Sequence, residues 1–225
     1  MSQLHLGYWD IRGLAQPIRY LLAFKEVDFE EKLYSCGPPP DFDRSAWLDE
    51  KFTLGLDFPN LPYLIDGDVK LTQSTAIIRY LARKFDLDGK SCEEKRRVDV
   101  IEQQLGDVKR TWVMLCYNPK FAEQRDAYEA QLPEKLKELS KFLGDRSYFA
   151  GDRLTYVDFL AYEYLAQQLM FSKKSFADFK NLTDFIDRVE ALPTLKNYLA
   201  SSACIKWPLN GDMASYGSRL TEKPF

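Results

Sequence analysis

The sequence predicts an α/β domain followed by an all-α domain, and two patterns carry that prediction. Up to residue 84, short stretches that alternate like strands are interleaved with helical stretches. After residue 91, apolar residues recur three and four positions apart, which is the spacing of amphipathic helices. The sequence FDLDGKS at 85–91 interrupts both patterns. We therefore predict domains at residues 1–84 and 92–225, joined by a linker at 85–91.

The first half of the α/β domain begins with two strands and the helix between them. Apolar alternation predicts strands from Leu4 to Trp9 and from Val27 to Tyr34. Between them a helix runs from about Leu14 to Phe24, and Pro17 is tolerated there because the first turn leaves its N–H groups unpaired. The sequence GPPP at 37–40 cannot be helical and predicts a stiff surface arm.

The second half of this domain contains a short helix, a hairpin and a longer helix. Residues 44–52 are predicted to form a short helical segment. The pair Asp66-Gly67 between apolar runs predicts a β-hairpin, and a helix opens on Gln73-Ser74. The resulting order, β-α-β-α-β-β-α, is that of a thioredoxin-like domain.

The second domain reads as a series of helices. The first has an apolar stripe formed by Val98, Ile101, Leu105, Val108, Trp112 and Leu115. The second runs from about Glu123 to Leu143 and contains Pro133, which we expect to bend it. Thr155 and Asp158 have the spacing of a capping box, ahead of a helix through Leu169. Shorter helices follow at 181–189 and 195–201, and the tail at 204–225 is expected to lie over the surface.

Composition excludes several classes of protein. The net charge is -3, and the short basic runs are flanked by acids, so nucleic acid is not an expected partner. No apolar stretch approaches the ~20 residues of a membrane helix, and the first residues lack the pattern of a signal peptide. The four cysteines are widely spaced without a Cys-x-x-Cys, which predicts reduced thiols. We expect a cytoplasmic protein with no membrane partner.

Residues 60–74 predict a binding site, called here the predicted dock, for a small anionic peptide. Pro62 at the start of a strand leaves the backbone groups before it free to pair with an extended ligand. The helix start at Gln73-Ser74 offers N–H groups and a hydroxyl to a carboxylate. The alternative is that Asn60-Leu61-Pro62 is only a turn into a strand and that Gln73 and Ser74 are only capping residues.

Tyr8 is the candidate catalytic residue. It ends the first strand, where that strand meets the helix start beneath the predicted dock. A phenol held near a ligand thiol can donate a hydrogen bond to the thiolate and so favour ionisation. Alone, such a tyrosine would be interpreted as filling the edge of the domain.

Arg44, Trp47 and Lys51 form a second candidate binding group. They lie at i, i+3 and i+7, which places them on one face of a helical segment. Two cations and an indole N–H that point together suit a terminal carboxylate. The alternative is an ordinary solvated face.

Other chemistries have little support in the sequence. His5 is the single histidine and lies in an apolar strand, so a catalytic triad or a metal site is not expected. Gly89-Lys90-Ser91 lacks the upstream glycine of a phosphate-binding loop, because residue 84 is Lys. There is no Gly-x-Gly-x-x-Gly for a dinucleotide. We therefore expect no cofactor.

Several long motifs, in order, resemble the mu-class glutathione transferases. They are GYWDIRGL at 7–14, PPDFDRS at 39–45, LDFPNLP at 56–62, Gln73-Ser74, MLCYNP at 114–119 and FAGD at 149–152. The resemblance covers nearly the whole chain. It implies a thioredoxin-like domain plus an all-helical domain, a homodimer, and conjugation of glutathione to small hydrophobic electrophiles, with detoxification as the role.

The resemblance also implies roles for individual residues. Tyr8 would stabilise the glutathione thiolate, and the glutathione site would comprise Tyr8, Trp9, Leu14, Arg44, Trp47, Lys51, Asn60, Leu61, Gln73 and Ser74, with Pro62 cis. Asp107 would reach this site from the partner subunit, while Phe58 and Arg79 would lie in the dimer interface. Tyr117, Gly106, Arg110, Val113 and Asn210 would form the electrophile site.

Departures from the family pattern cluster around the second substrate. Gly106 and Arg110 lie on a helix face that is often more apolar in the family. Cys36 lies in the arm, which by this resemblance runs from Ser35 to Arg44. Asn210-Gly211 replaces bulkier residues. We expect a polar, roomier electrophile pocket.

Three alternative functions remain open at this point. A carrier of apolar ligands with the same fold would need neither Tyr8 nor a full set of glutathione contacts. A thiol-disulfide oxidoreductase would be expected to have a cysteine at the end of the first strand, where this chain has Tyr8. A glutathione-dependent isomerase cannot be separated from a conjugating enzyme by sequence.

Overall fold

The computed structural model describes residues 3–223, and its first part is a small sheet with three helices. In chain order the elements are β1 (Leu4–Trp9), α1 (Gln16–Phe24), β2 (Phe29–Tyr34), α2 (Ser45–Leu48), β3 (Tyr63–Asp66), β4 (Val69–Thr72) and α3 (Ser74–Lys84). This is the predicted β-α-β-α-β-β-α order. The elements are shorter than expected in three places. Helix α1 starts at Gln16 rather than Leu14, strand β2 starts at Phe29 rather than Val27, and the piece at 44–52 is α-helical only over α2.

The four strands lie in the order β2-β1-β3-β4. β1 is parallel to β2 and antiparallel to β3, and β3 and β4 form the predicted hairpin around Asp66-Gly67. Gly67 has a φ of 63°, a left-handed conformation that glycine adopts without strain. Because β1 is a central strand, its carboxyl end, Tyr8-Trp9, has a neighbouring strand on each side at that end of the sheet.

The second part of the chain is helical. Its elements are α4 (Cys92–Cys116), α5 (Phe121–Leu143), α6 (Tyr156–Phe171), a 3-10 turn (Lys173–Phe176), α7 (Lys180–Glu190) and α8 (Pro193–Ala200). The stripe predicted on α4 is confirmed, since all six of its residues are buried. At the start of α6, the Asp158 carboxylate accepts hydrogen bonds from the Thr155 backbone N–H and hydroxyl, which confirms the predicted capping box.

A buried ion pair fastens the loop after β1 to helix α6. The Arg12 guanidinium donates to both carboxylate oxygens of Glu163, with Nε to Oε1 at 3.2 Å and Nη2 to Oε2 at 2.6 Å. The Tyr20 hydroxyl donates to the same carboxylate, and Gln167 donates to it from the next turn of α6. Breaking one partner of such a pair leaves an uncompensated buried charge, so this cluster fixes how the α/β part meets the helices.

The tail does not lie simply over the surface, as the sequence had suggested. Leu209 and Ser218 are fully buried, and Ala214 is nearly so. The backbone N–H groups of Arg12 and Gly13 donate to Pro208 and Leu209 at 3.0 Å each. The tail is therefore packed against the loop after β1, because these hydrogen bonds join segments almost 200 positions apart in sequence.

Two further features bear on the expected class of protein. All four cysteines are free thiols, as their spacing predicts. Across residues 3–223, none of the helices combines the length and the apolar character that crossing a bilayer requires.

Candidate active site

Tyr8 lies at the carboxyl end of β1, where the chain turns toward α1. Its ring is buried, and its hydroxyl oxygen accepts a 2.9 Å hydrogen bond from the backbone N–H of Leu14. A phenol oxygen that accepts one hydrogen bond still carries its own proton to donate. Tyr8 is thus fixed in place as a hydrogen-bond donor.

Gly13 makes this arrangement possible. Its φ is +45°, and a Cβ at this position would lie 2.5 Å from the Tyr8 hydroxyl oxygen. Only glycine combines that backbone conformation with so close an approach. The Gly13-Leu14 segment is therefore shaped to bring an N–H group to the phenol.

The electrostatic surroundings keep Tyr8 protonated. Burial raises the pKa of its hydroxyl to about 12, although the Leu14 N–H and, more weakly, Arg19 act in the opposite direction. The Arg19 guanidinium carbon lies 6.0 Å from the centre of the Tyr8 ring. A hydroxyl with this pKa is neutral throughout the physiological range, so it can donate to an anion but cannot serve there as a base.

A cavity of about 360 Å³ opens beside Tyr8, and we call it the Tyr8 cavity. Its volume is in the range of small-molecule sites. Of the predicted site residues, it is lined by Tyr8, Trp9, Leu14, Arg44, Asn60, Leu61 and Tyr117. The structure thus brings together residues from the first strand, the arm, the segment before β3 and the end of α4.

The group predicted from α2 is only partly assembled around this cavity. Arg44 is exposed and lines the Tyr8 cavity from the start of α2. Trp47 is buried behind it, stacked on Tyr63 with ring centres 6.1 Å apart. Lys51 lies with its ammonium 5.2 Å from the Phe52 ring centre and is not part of the cavity wall. Arg44 is therefore the member of this group placed to meet a ligand in the Tyr8 cavity.

The backbone before β3 differs from the expectation in one respect. The Leu61–Pro62 peptide bond is cis, as the resemblance implied. However, the Leu61 N–H donates to the Asn60 side-chain oxygen at 2.9 Å. One of the backbone groups expected to be free for a peptide ligand is therefore occupied, because the preceding asparagine folds back onto it.

Gln73 and Ser74 begin helix α3. Gln73 has a φ of 71°, which is uncommon and costly for a residue with a side chain. Conformations of this kind cluster at ligand sites, where the surrounding structure holds them in place. Neither residue lines the Tyr8 cavity, but Ser74 lines a second cavity beside it.

The second cavity lies between α1, α3, α4 and α6 and has a volume of about 310 Å³, and we call it the interdomain cavity. Its walls include Gly106, Arg110 and Val113, all predicted for the electrophile site. Leu14 lines both cavities, so the two meet at the residue whose N–H holds Tyr8. Most of the wall is apolar, but Glu102, Lys109 and Arg110 contribute charged groups.

Tyr117 and the tail close the other side of the Tyr8 cavity. The Tyr117 hydroxyl accepts a 2.8 Å hydrogen bond from the Gly211 N–H, and burial raises the pKa of that hydroxyl. Asn210, predicted beside the electrophile, is instead buried, lines neither the Tyr8 cavity nor the interdomain cavity, and donates to the Tyr216 carbonyl. The side chain of Asn210 therefore points into the protein, where this hydrogen bond holds two parts of the tail together.

The residues expected in a subunit interface are mostly exposed. Phe58 is 74% exposed, which is unusual for a phenylalanine in water. Asp107 is exposed on α4 and lines neither cavity of its own chain. Arg79 forms an ion pair with Glu102 of the same chain, its Nε 2.9 Å from Oε1.

Sequence reasoning missed several residues that line the Tyr8 cavity. They are Asp10, Ile11, Tyr34, Phe42, Asp212, Met213 and Arg219. The Arg219 guanidinium donates to the Asp10 carboxylate at 2.6 Å and to its backbone carbonyl, which ties the tail to the end of β1. Such a contact, between residues 209 positions apart, leaves no local pattern in the sequence.

Comparison with known proteins gives a consistent result. The family model described as "Glutathione S-transferase, N-terminal domain" matches residues 4–83, and "Glutathione S-transferase, C-terminal domain" matches residues 106–202. Glutathione S-transferase Mu 1 of Mus musculus is 52% identical over 214 residues, covering 95% of this chain and 98% of the relative. Glutathione S-transferase Mu 3 of Homo sapiens is 50% identical over 218 residues, covering 97% of each.

Solved structures show the same likeness. The crystal structure of the glutathione S-transferase Blo t 8 superposes with a TM-score of 0.87 at 38% identity, covering 95% of this chain and 99% of that one. The Onchocerca volvulus Pi-class glutathione S-transferase gives a TM-score of 0.83 at 28% identity, covering 95% and 100%. The similarity therefore extends over both the α/β part and the helices.

Proposed function

Because this chain belongs to the mu class of the glutathione S-transferase family and is a transferase that conjugates glutathione, we propose that Tyr8 performs its central chemical step. In this proposal glutathione binds in the Tyr8 cavity with its sulfur at the Tyr8 hydroxyl. The observation that carries it is the geometry of that hydroxyl, which is buried, protonated and fixed by the Leu14 N–H.

The hydrogen bond from Tyr8, at the upper end of the usual range of strength, supplies the required activation. A free thiol with a pKa near 8.5 is only about 3% ionised at pH 7. Lowering that pKa by ~2 units makes most of it thiolate and requires about 2.7 kcal/mol. One hydrogen bond to a charged group contributes roughly 1.5–3 kcal/mol. The thiol proton passes to solvent, and the thiolate attacks a carbon electrophile. The new C–S bond forms as the bond from that carbon to a leaving group breaks, the leaving group departs with the electron pair, and the sulfur becomes the thioether of the product.

The remaining glutathione contacts follow from the position of the sulfur. Trp9, Leu14, Asn60 and Leu61 line the cavity on the side of the first strand and the cis peptide, where they would hold the cysteinyl residue. Arg44, supported by Trp47 and Lys51, would take one terminal carboxylate. Gln73 and Ser74, at the start of α3, would take the other through backbone N–H groups.

We propose that the working form is a homodimer. Phe58 exposes a large apolar ring that a partner subunit would cover, and Asp107 of the partner subunit would complete the glutathione site. Arg79 would lie near the dimer axis. This proposal places a shared site at the interface, so dissociation of the dimer should weaken glutathione binding as well as stability.

The electrophile would lie where the Tyr8 cavity and the interdomain cavity meet, between Tyr117 and the α4 residues Gly106, Arg110 and Val113. Apolar walls favour hydrophobic acceptors, while Lys109 and Arg110 would also accept acidic or carbonyl-bearing ones. A substrate panel tests this: the proposal predicts that acceptors with a carboxylate are used well, and turnover of only large apolar acceptors would contradict it. Detoxification in the cytoplasm, without a cofactor, completes the proposed role.

Turnover with a generic aromatic electrophile, combined with calorimetry of glutathione binding, tests the proposed function. The wild-type chain should bind glutathione and release the conjugate, and Tyr8→Phe should bind glutathione but turn over slowly near neutral pH. Tyr80→Phe removes a phenol far from the site, where its hydroxyl donates to Asp66, and it is the matched control. Absence of glutathione binding in the wild type would refute the proposal.

A further inference from the structure

Lys109 is a charged side chain that takes no part in the activation of the glutathione sulfur. It lies on α4, four positions before Val113, and it lines the interdomain cavity. Its side chain is half-buried, whereas that of Arg110 beside it is exposed. Among residues 3–223, Lys109 has no partner within ion-pair distance. The wall of the interdomain cavity thus carries a cation that is partly withdrawn from water and lacks a counter-charge.

The carboxylates around this cavity already have cations of their own. The Glu102 carboxylate accepts a hydrogen bond from Arg79, whose Nε lies 2.9 Å from Oε1. Glu163 of α6 attracts Lys109 electrostatically, but its carboxylate is held by Arg12 at 2.6 Å. The residues that α1 and α3 contribute to the wall are uncharged. Neither carboxylate is therefore free to neutralise the Lys109 ammonium.

The surroundings of Lys109 favour a ligand that becomes negative during the reaction. Burial lowers the pKa of the Lys109 ammonium, although Glu163 acts in the opposite direction. A charged group that loses water loses free energy, and a paired opposite charge restores it. A neutral acceptor does not supply that charge, but a transition state that carries negative charge does. Lys109 is thus a donor that binds such a transition state more strongly than the neutral substrate.

The position of Lys109 specifies which part of an acceptor it meets. Leu14 lines both cavities, and its N–H donates to the Tyr8 hydroxyl at 2.9 Å. In the proposed function the sulfur lies at that hydroxyl, so the attacked carbon lies where the two cavities meet. Lys109 precedes Tyr117, a residue of the Tyr8 cavity, by eight positions, which is about 12 Å along the axis of α4. Lys109 therefore faces the far end of an acceptor rather than its attacked carbon.

We propose that Lys109 is a further catalytic residue, whose ammonium donates a hydrogen bond to the oxygen that takes up negative charge at the far end of the acceptor. The acceptors that fit are aryl halides with a para-nitro group, because their nitro oxygens lie across the ring from the attacked carbon. This inference rests on the proposed function, since it requires the sulfur to lie at Tyr8.

The reaction at such an acceptor proceeds in two steps. The thiolate sulfur forms a bond to the carbon that bears the halide, and an electron pair of the ring moves onto the para-nitro group. That pair then returns to the ring, and the halide leaves with the electrons of the carbon–halogen bond. Lys109 keeps its proton throughout, and its hydrogen bond is strongest while the nitro oxygens carry the charge.

Two isomers of dinitrochlorobenzene test this proposal in single-turnover measurements, which separate the chemical step from product release. One isomer has nitro groups ortho and para to the chlorine, and the other has both nitro groups ortho. Loss of one donor to an oxyanion lowers kcat by roughly 10²–10³-fold, and water replaces part of a half-buried donor. Lys109→Met should therefore lower the ratio of the ortho,para rate to the di-ortho rate by at least about ten-fold.

Three other variants give this ratio its meaning. Lys109→Arg keeps the charge and should restore most of the ratio. Lys137→Met makes the same substitution at an exposed position of α5 outside both cavities, and it should keep the wild-type ratio. Tyr8→Phe should slow both isomers to the same extent near neutral pH, because it acts on the sulfur that both isomers share.

An unchanged ratio in Lys109→Met would overturn this inference and leave the role of Tyr8 intact. A lowered ratio that Lys109→Arg does not raise would overturn it as well, because shape rather than charge would then be responsible. If the wild-type chain turned over neither isomer and bound no glutathione, the proposed function itself would be refuted. A selective loss in Lys109→Met with recovery in Lys109→Arg is the result that we expect.

Discussion

Replacing Tyr8 with phenylalanine removes one hydroxyl and leaves the ring in place. The buried ring continues to fill the end of β1, so the fold should be retained. The Leu14 N–H loses its acceptor, and the bound sulfur loses its hydrogen-bond donor. We therefore expect a change in the ionisation of bound glutathione rather than a large change in its affinity.

The size of the effect follows from the strength of that hydrogen bond. A loss of roughly 1.5–3 kcal/mol corresponds to a rise of about 1–2 units in the pKa of the bound thiol. With a 2-unit rise from ~6.5 to ~8.5, the thiolate fraction at pH 6.5 falls from about one half to about 1%. The rate should therefore drop about 50-fold at pH 6.5 and recover to within about two-fold at pH 9.5, where both thiols are ionised.

The assay is the pH profile of the conjugation rate with saturating glutathione, combined with absorbance titration of the bound thiolate. Because burial raises the pKa of the Tyr8 hydroxyl to about 12, the wild-type rate should remain on its plateau at pH 9.5. Tyr80→Phe should follow the wild-type profile. A thiol pKa in Tyr8→Phe equal to that of the wild type would refute the reasoning.

Three further predictions concern the groups around this tyrosine and the scaffold that supports it. Gly13→Ala should lower kcat/KM by about ten-fold or more and destabilise the fold by about 1–3 kcal/mol. The new Cβ would lie 2.5 Å from the Tyr8 hydroxyl oxygen, and the backbone at this position is in the left-handed region. A variant with the kinetics and the urea midpoint of the wild type would contradict this. Arg219→Ala should change KM for the electrophile while costing under about 1 kcal/mol in stability, since its pair with Asp10 is partly exposed. A large drop in the urea midpoint with an unchanged KM would show a structural role only and would contradict this prediction. Burial raises the pKa of the Asp158 carboxyl to about 6, above the ~3.9 of an unfolded Asp, so its stabilising contribution is present below about pH 4 and is lost as the pH rises through 6. Asp158→Asn should remove that pH dependence from the free energy of unfolding. An unchanged slope of this free energy between pH 4 and 7 would contradict the assignment.

The fold could be predicted from sequence where its causes are local. The alternation in β1, the Asp66-Gly67 turn and the stripe on α4 each depend on residues a few positions apart, and each was confirmed. The tail was misjudged because Pro, Gly and Ser in a sequence predict loops but not what a loop packs against. Its burial depends on hydrogen bonds to Arg12 and Gly13, which no local pattern encodes.

The candidate site divides in the same way. Tyr8, Arg44 and Asn60 lie in motifs whose residues are adjacent in the chain, and the structure places them around one cavity. The resemblance placed Asn210 beside the electrophile, but whether a side chain points outward or inward depends on tertiary contacts. The division of the space into two cavities that meet at Leu14 likewise required the arrangement of α1, α3, α4 and α6 around the interdomain cavity.

A crystal structure with glutathione bound most directly tests the claim that one phenol activates the sulfur. The account predicts a Tyr8 hydroxyl oxygen within about 3.5 Å of the sulfur, with the Leu14 N–H still donating to that oxygen. A sulfur bound elsewhere in the cleft, or hydrogen-bonded only to other groups, would contradict it.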